Sequence, residues 1–430
     1  YELHLGTFTE EGTCASAIHR LDELSELGIT AIEIMPVAQS AGKRNWGYDG
    51  VNLFAPRNTY GRPEDLQAFV DEAHARGIAV ILDVVYNHFG AEGNYLAGFG
   101  GYLSKDHTTP WGDAPNLDEA GSDIMRRFLI ENIRYWIEDF RFDGLRIDAT
   151  HCIADDSEFH FAGEIGREMK RLEKKLGRTL HLIAESNVYD PELLVPLQEG
   201  GAGYDALWCD DFIHSVYAVL EPGEHMSDRS YEPGLDLNMV LRRGYVFHGT
   251  LRTSRVRHLL EEFPETVGME SLVAAIQNHD FIGNHPGGRR LHQISGKAAH
   301  RAAAALLLLT PSIPMLFMGE EFACDSPFFF FADFEDQSIR TAVEKGRERE
   351  HPQHDWQKAQ GPLSDESFKR SRIGSREHGD LETLRWYRKL IDFRKSWKRL
   401  GVLGTDHLYA SWDGEWNLAR LIYTTDSGEH

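Results

Sequence analysis

The stretch Gly144-Leu145-Arg146-Ile147-Asp148-Ala149 decides how the chain is read. A short apolar strand body ends on a carboxylate, and Arg146 stands two residues before Asp148, on the same face of a strand whose side chains alternate. The design recurs on both sides. Asp83-Val84-Val85-Tyr86-Asn87-His88 precedes it, and Ile183-Ala184-Glu185-Ser186 and Gln277-Asn278-His279-Asp280 follow. Eight such β-rich runs are expected, at 2–8, 31–35, 79–85, 144–147, 181–184, 206–208, 272–276 and 313–317. Amphipathic helical stretches separate them, at 16–27, 64–76, 123–140, 157–176, 190–198 and 297–309. Within 64–76, Leu66, Phe69, Val70 and Ala73 mark one buried helical face, with Pro63 before it and Gly77 after it as start and stop signals. Alternating strand and helix units imply a parallel sheet, and eight of them imply closure into an α/β (β/α)8 TIM barrel. An open doubly wound sheet is disfavoured because no phosphate-binding glycine fingerprint follows an early strand.

Two connections are long, 89–121 after strand three and 221–269 after strand six. Loops of that size are usually functional, and barrel function sits on the loops after the strands. The catalytic barrel is expected over 1–397. A hairpin at 408–424 around Asp413-Gly414 reads as the start of a small C-terminal β domain, cut short, over 398–430.

Composition narrows the function. The chain has 430 residues, with 68 acidic against 45 basic side chains and a formal net charge of −23. Such a surface repels nucleic acid and anionic membranes, and no apolar run is long enough to cross a bilayer. Oligomeric state is not readable. Cys14, Cys152, Cys209 and Cys324 lie too far apart for a zinc or disulfide framework, so free thiols in a reducing cytoplasm are expected. No signal peptide is visible, and a start at Tyr1 leaves room for an upstream segment.

The strand ends of a barrel converge on one mouth, so Asp83, His88, Arg146, Asp148, Glu185, His279 and Asp280 are expected in one pocket. Converging carboxylates repel, and Arg146 supplies the offset. It is expected to keep Asp148 ionised, while a crowding carboxylate raises Glu185. An ionised nucleophile beside a protonated acid, about 5–5.5 Å apart, is what retaining glycoside hydrolysis requires. His88 and His279 lack the i, i+4 partner of a zinc helix and suit hydrogen bonds to sugar hydroxyls. No metal or cofactor is expected. Trp46, Tyr48, Tyr86, Trp111 and Phe281 offer aromatic faces for a pyranose ring.

The four strand-end stretches, in order and on successive strands, resemble the signature regions of the α-amylase family, glycoside hydrolase family 13. The resemblance implies Asp148 as nucleophile, Glu185 as general acid/base and Asp280 as transition-state stabiliser. It places Arg146, His88, His279 and Tyr48 around the sugar being cleaved. Asp83, His151 and Phe281, in or beside the same strand-end stretches, and Trp208 and Asp211, in the 208–212 stretch, complete the expected substrate contacts. Segments 1–9, 46–51, 109–113, 208–212 and 314–321 are similar to family members that cleave the α-1,4 bond next to a terminal trehalose unit. The implied substrate is therefore a trehalose-ended α-glucan. The alternatives are a branching or debranching enzyme, or an inactive barrel that binds glucan. The sequence departs from the family at Phe281, where glutamine is usual, and at His285, where arginine is usual. The β-sandwich that normally precedes such a barrel is absent from this sequence.

Overall fold

Eight short segments rich in aliphatic residues pair in parallel. They are β1 (Glu2–Leu3), β2 (Ala31–Ile34), β3 (Ala79–Val84), β4 (Gly144–Ile147), β5 (His181–Glu185), β6 (Ala206–Trp208), β7 (Leu272–Ala275) and β8 (Ile313–Met315). The computed structural model describes all residues except 222–229, 252–255, 258–267, 353, 357–358, 426–427 and 430. The strands neighbour one another in chain order. Closure comes from a parallel bridge between Glu2 and Phe317. There the Glu2 N–H donates to the Leu316 carbonyl and the Met318 N–H to the Glu2 carbonyl, each at 2.9 Å. The expected barrel is present, and closure leaves no strand edge unpaired.

Period-two alternation sorts the strand residues. Val80, Leu82, Leu145, Ile147, Leu182, Ala184 and Leu207 join the core between barrel and helices. Ile81, Ile183, Trp208, Val273, Ala275 and Met315 fill the barrel interior. Two residues beyond Ile81 and Ile183, on the same inward face, stand Asp83 and Glu185. The interior therefore turns from apolar to ionised toward the C-terminal ends of the strands. Gly144 permits the close approach of β4 to β5, since a Cβ there would lie 2.3 Å from the His181 carbonyl oxygen.

The helical shell follows the sequence periodicity with local changes. Pro63–Ala75 buries Leu66, Phe69, Val70 and Ala73, and Pro63 opens it. Burying each of its larger apolar side chains stabilises the fold by roughly 1.5–3 kcal/mol. The first strand is shorter than expected. After Leu3 the chain turns into a buried helical turn, Leu5–Phe8, in which the Phe8 N–H reaches the His4 carbonyl at 3.0 Å. The helix expected at 16–27 is two helices, Cys14–Ile18 and Leu21–Leu27. That at 190–198 is also split, into Pro191–Leu194 and the 3-10 turn Leu197–Glu199. Pro196 between these two has no N–H to continue the ladder. The connection after β3 carries its own antiparallel strand pair, Leu103–Thr109 with Gly112–Pro115. Much of the connection after β6 lies outside the described residues.

Helix Leu381–Arg399 leads to an antiparallel sheet of Leu408–Asp413, Leu418–Thr425 and Gly428–Glu429. The Tyr423 hydroxyl donates to the Leu309 carbonyl at 2.5 Å, and the Tyr423 ring meets Trp397 edge-on. Arg394 ties the same helix to the barrel. Its guanidinium donates to the carbonyls of Leu308 (3.0 Å), Thr310 (2.6 Å) and Ser312 (2.7 Å) at the entry to β8. Arg394→Ala leaves several part-buried carbonyls without a partner and is expected to cost about 2–4 kcal/mol of stability. A denaturant titration of wild type and variant checks this, and an unchanged midpoint would contradict it.

Candidate active site

Arg146 sits 1% exposed on the inward face of β4, and three strands converge on it. Its Nη1 donates to both oxygens of Asp83, on β3, at 2.9 and 2.8 Å, and to Asp148 Oδ1 at 3.0 Å. Nη2 pairs with Glu185 Oε2, on β5, at 2.9 Å. The indole of Trp208, on β6, lies 4.3 Å from the guanidinium carbon. A fork of fixed donors on a planar cation suits this task better than a point charge. Desolvating one cation and three carboxylates is costly, and only a geometry this complete offsets it.

The two central carboxylates are gripped differently. Asp148 Oδ2 accepts from Asn87 Nδ2 at 2.8 Å, and the same amide donates to the Asp148 carbonyl at 2.9 Å. The next residue, Ala149, adopts φ +37° and ψ +54°, a left-handed conformation that non-glycine residues rarely hold. In that conformation its N–H donates to Glu185 Oε2 at 2.7 Å. A strained turn therefore links one carboxylate to the other, and backbone strain of this kind gathers at functional sites.

This grip reverses the expected protonation. Burial raises Asp148 to about 6, the Glu185 charge adds to it, and Arg146 and Asn87 only partly oppose them. Burial also raises Glu185, but Arg146, the Ala149 N–H, His151 and His279 outweigh it and hold that carboxyl below its usual range. Sequence reasoning assigned Arg146 to Asp148 alone. The structure shares it between both acids and adds a backbone donor to Glu185 that no side-chain pattern announces.

The remaining expected residues separate into those that reach the mouth and those that do not. The Tyr48 hydroxyl donates to Asp83 Oδ2 at 2.7 Å, and its ring stacks on His279 with centroids 5.1 Å apart. His88 donates from Nε2 to the Tyr48 carbonyl at 3.0 Å, stacks on half-exposed Trp111, and is pushed by burial down to about 4, so it is neutral. Asp280 is exposed at the end of β7 and accepts from Asn284 Nδ2 at 2.7 Å. His151 lines a cavity of about 400 Å³ with His107, Thr109, Asp155 and His160. Three expected sugar contacts sit elsewhere. Trp208 is 2% exposed and supports Arg146 from beneath. Asp211 is fully buried, accepting from the Tyr231 hydroxyl (2.6 Å) and the Val246 and Phe247 amides (2.7 and 2.9 Å), so it pins a loop. Phe281 is buried and packs against Tyr217 and His214.

Sequence reasoning missed Glu2 and Glu33, buried and opposite each other in β1 and β2. Both Glu2 oxygens engage His279, one at the ring Nδ1 and the other at the backbone N–H (3.1 Å). A carboxylate inside Ala31-Ile32-Glu33-Ile34 was the available signal. Asn87 was not expected to hold Asp148. Among the described residues, His107, Asp118 and Asp156 form the group whose ligand atoms lie close enough to hold a metal. In this structure they form a histidine–carboxylate ion pair, with His107 Nε2 2.9 Å from Asp118.

Comparisons with known proteins agree with this geometry. The profile of the family "Alpha amylase, catalytic domain" matches residues 5–110. A malto-oligosyltrehalose trehalohydrolase of Saccharolobus solfataricus is 42% identical over 398 residues, 92% of this chain and 68% of that protein. One from Arthrobacter ramosus is 42% identical over 403 residues, 92% and 70% of the two chains. A solved structure from Salmonella typhimurium, provisionally called an α-amylase, superposes with a TM-score of 0.86 at 34% identity, covering all of this chain and 74% of the other. With this identity spread over nearly its whole length, the chain belongs to the malto-oligosyltrehalose trehalohydrolase family of α-amylase-like glycoside hydrolases.

Proposed function

We propose that this barrel hydrolyses the α-1,4-glucosidic bond next to the terminal trehalose unit of maltooligosyltrehalose, releasing trehalose with retention at the anomeric carbon. The observation that carries the reading is one buried guanidinium holding Asp148 and Glu185 together at the mouth of a closed barrel. Asp148 attacks the anomeric carbon as Glu185 gives its proton to the departing glycosidic oxygen. The bond to the leaving sugar breaks and an ester to Asp148 forms. Water then attacks the same carbon, gives a proton to Glu185, and frees Asp148. Asp280, exposed at the rim, takes ring hydroxyls as the sugar flattens, an interaction strongest in the transition state. The exposed faces of Tyr95, Phe99 and Trp111, on the connection after β3, suit stacking against further glucose units.

A cytoplasmic location fits the absence of a disulfide among the described residues. Among the described residues no helix is long and apolar enough to cross a membrane. The net charge of −23 disfavours nucleic acid as a partner.

Product analysis tests the reading directly. Incubation with maltooligosyltrehalose is expected to release trehalose on a chromatogram, whereas a changed branch pattern on amylopectin would identify a branching enzyme instead. Asp148→Asn and Glu185→Gln are each expected to lower kcat by at least about 10³-fold. An Asp148→Asn enzyme retaining a tenth of the activity would remove Asp148 from the nucleophile's role. Arg146→Lys keeps the charge but loses the fork, and a fall of at least about 10²-fold in kcat is expected.

The pH dependence follows from the shared proton. The reactive form carries one proton on the pair, and that proton resides mainly on Asp148, raised to about 6. Above that pH the pair loses its only proton, so kcat/KM is expected to fall about tenfold per unit. With substrate bound, the glycosidic oxygen competes for Glu185 and the same limb in kcat moves upward. A kcat/KM profile flat to pH 8 would contradict the shared-proton account.

A further inference from the structure

We propose that Glu2 is a positioning residue, holding the His279 ring as a charged hydrogen-bond donor directed at the sugar. The inference rests on the glycosidase reading and adds to it the charge state of one sugar contact. Glu2 is 1% exposed, and both its oxygens are spent on His279, one at Nδ1 and one at the backbone N–H. The contact joins β1 to the end of β7. Glu2 is also the residue whose backbone closes the barrel against β8. The ring is clamped between the Tyr48 face and the edges of Trp46 and Trp208. Its other nitrogen, Nε2, makes no hydrogen bond to the described residues.

That arrangement gives the charge a chemical consequence. With Nδ1–H committed to Glu2, a neutral ring would present a lone pair at Nε2, whereas an imidazolium presents a second N–H. Only the second can donate to a sugar oxygen. The charged and titratable groups around the ring are Glu2 on β1, His4 just after β1, Glu33 on β2, Tyr48 after β2, Arg146 on β4, Glu185 on β5 and Asp280 beside it. Burial opposes the ring's charge, but Glu2 and then Asp280 overcome burial and the repulsion of Arg146, raising His279 to about 9. Its proton is therefore held through neutral pH and leaves as pH rises through about 9. Glu33 faces Glu2 across the β1–β2 pair and is raised by burial to about 7.

Nitrogen NMR of histidine-labelled full-length chain, with His279→Gln to identify the signals, tests the proposal. In the wild type both ring nitrogens of His279 are expected to remain protonated at pH 8. Glu2→Gln preserves shape and removes the charge, leaving one acceptor oxygen where the carboxylate offered two. In that variant the ring is expected to lose its proton at least two pH units earlier, with kcat/KM at pH 7.5 at least tenfold lower and the melting temperature nearly unchanged. Glu2→Asp restores the carboxylate and is expected to recover the protonated ring. A wild-type His279 that is neutral below pH 7 would overturn the proposal. So would a Glu2→Gln enzyme that loses the ring charge yet keeps kcat/KM within twofold. A wild type releasing no trehalose would sink the functional reading instead, and the ring-nitrogen signals would still decide this one.

Discussion

Arg146 is the constraint on which the rest of the site depends. A guanidinium at 1% exposure in a barrel interior needs charge compensation, and Asp83, Asp148 and Glu185 provide it to its two Nη atoms from three neighbouring strands. Arg146 draws all three carboxyls down against burial, which still leaves Asp83 and Asp148 raised. The parallel register makes the meeting possible by setting Asp83 against Arg146 across β3 and β4. The apolar layer of Ile81, Ile183, Trp208 and Met315 beneath keeps water out and strengthens every charge interaction above it.

Around this centre the site is a connected polar network. Tyr48 passes from Asp83 to the His279 ring, and His279 passes on to Glu2, whose backbone seals the barrel. Glu2 therefore orients the mouth through its side chain while its backbone closes the sheet. Preorganised charge of this kind stabilises a developing oxocarbenium ion without reorganisation at the moment of reaction. The left-handed backbone at Ala149 also serves this end, because its turn aims an amide at Glu185.

The protonation of the two acids shows how tertiary structure corrects local reasoning. Adjacency in sequence favoured Arg146 acting on Asp148. In space, Glu185 receives the second arm of the guanidinium and the Ala149 amide as well. Burial and the neighbouring charge raise the Asp148 carboxyl, while the donors around Glu185 hold that carboxyl low.

By itself, the sequence determined the barrel and the ends of its strands. Period-two alternation and helical periodicity are local properties, and an Asp or Glu closing an apolar strand is visible one residue at a time. The strand-end carboxylates Asp148 and Glu185, which meet at Arg146, were legible for that reason. Tertiary structure alone decided how the groups divide the available partners. Trp208 and Asp211 carry the right chemistry for a sugar contact, yet packing turns one under Arg146 and buries the other against the 245–247 backbone. Glu2 and Glu33 had no motif to mark them, because their significance lies in cross-strand partners dozens to hundreds of residues away. Charge state and burial depend on everything within a few ångströms, and sequence order does not encode which residues those are.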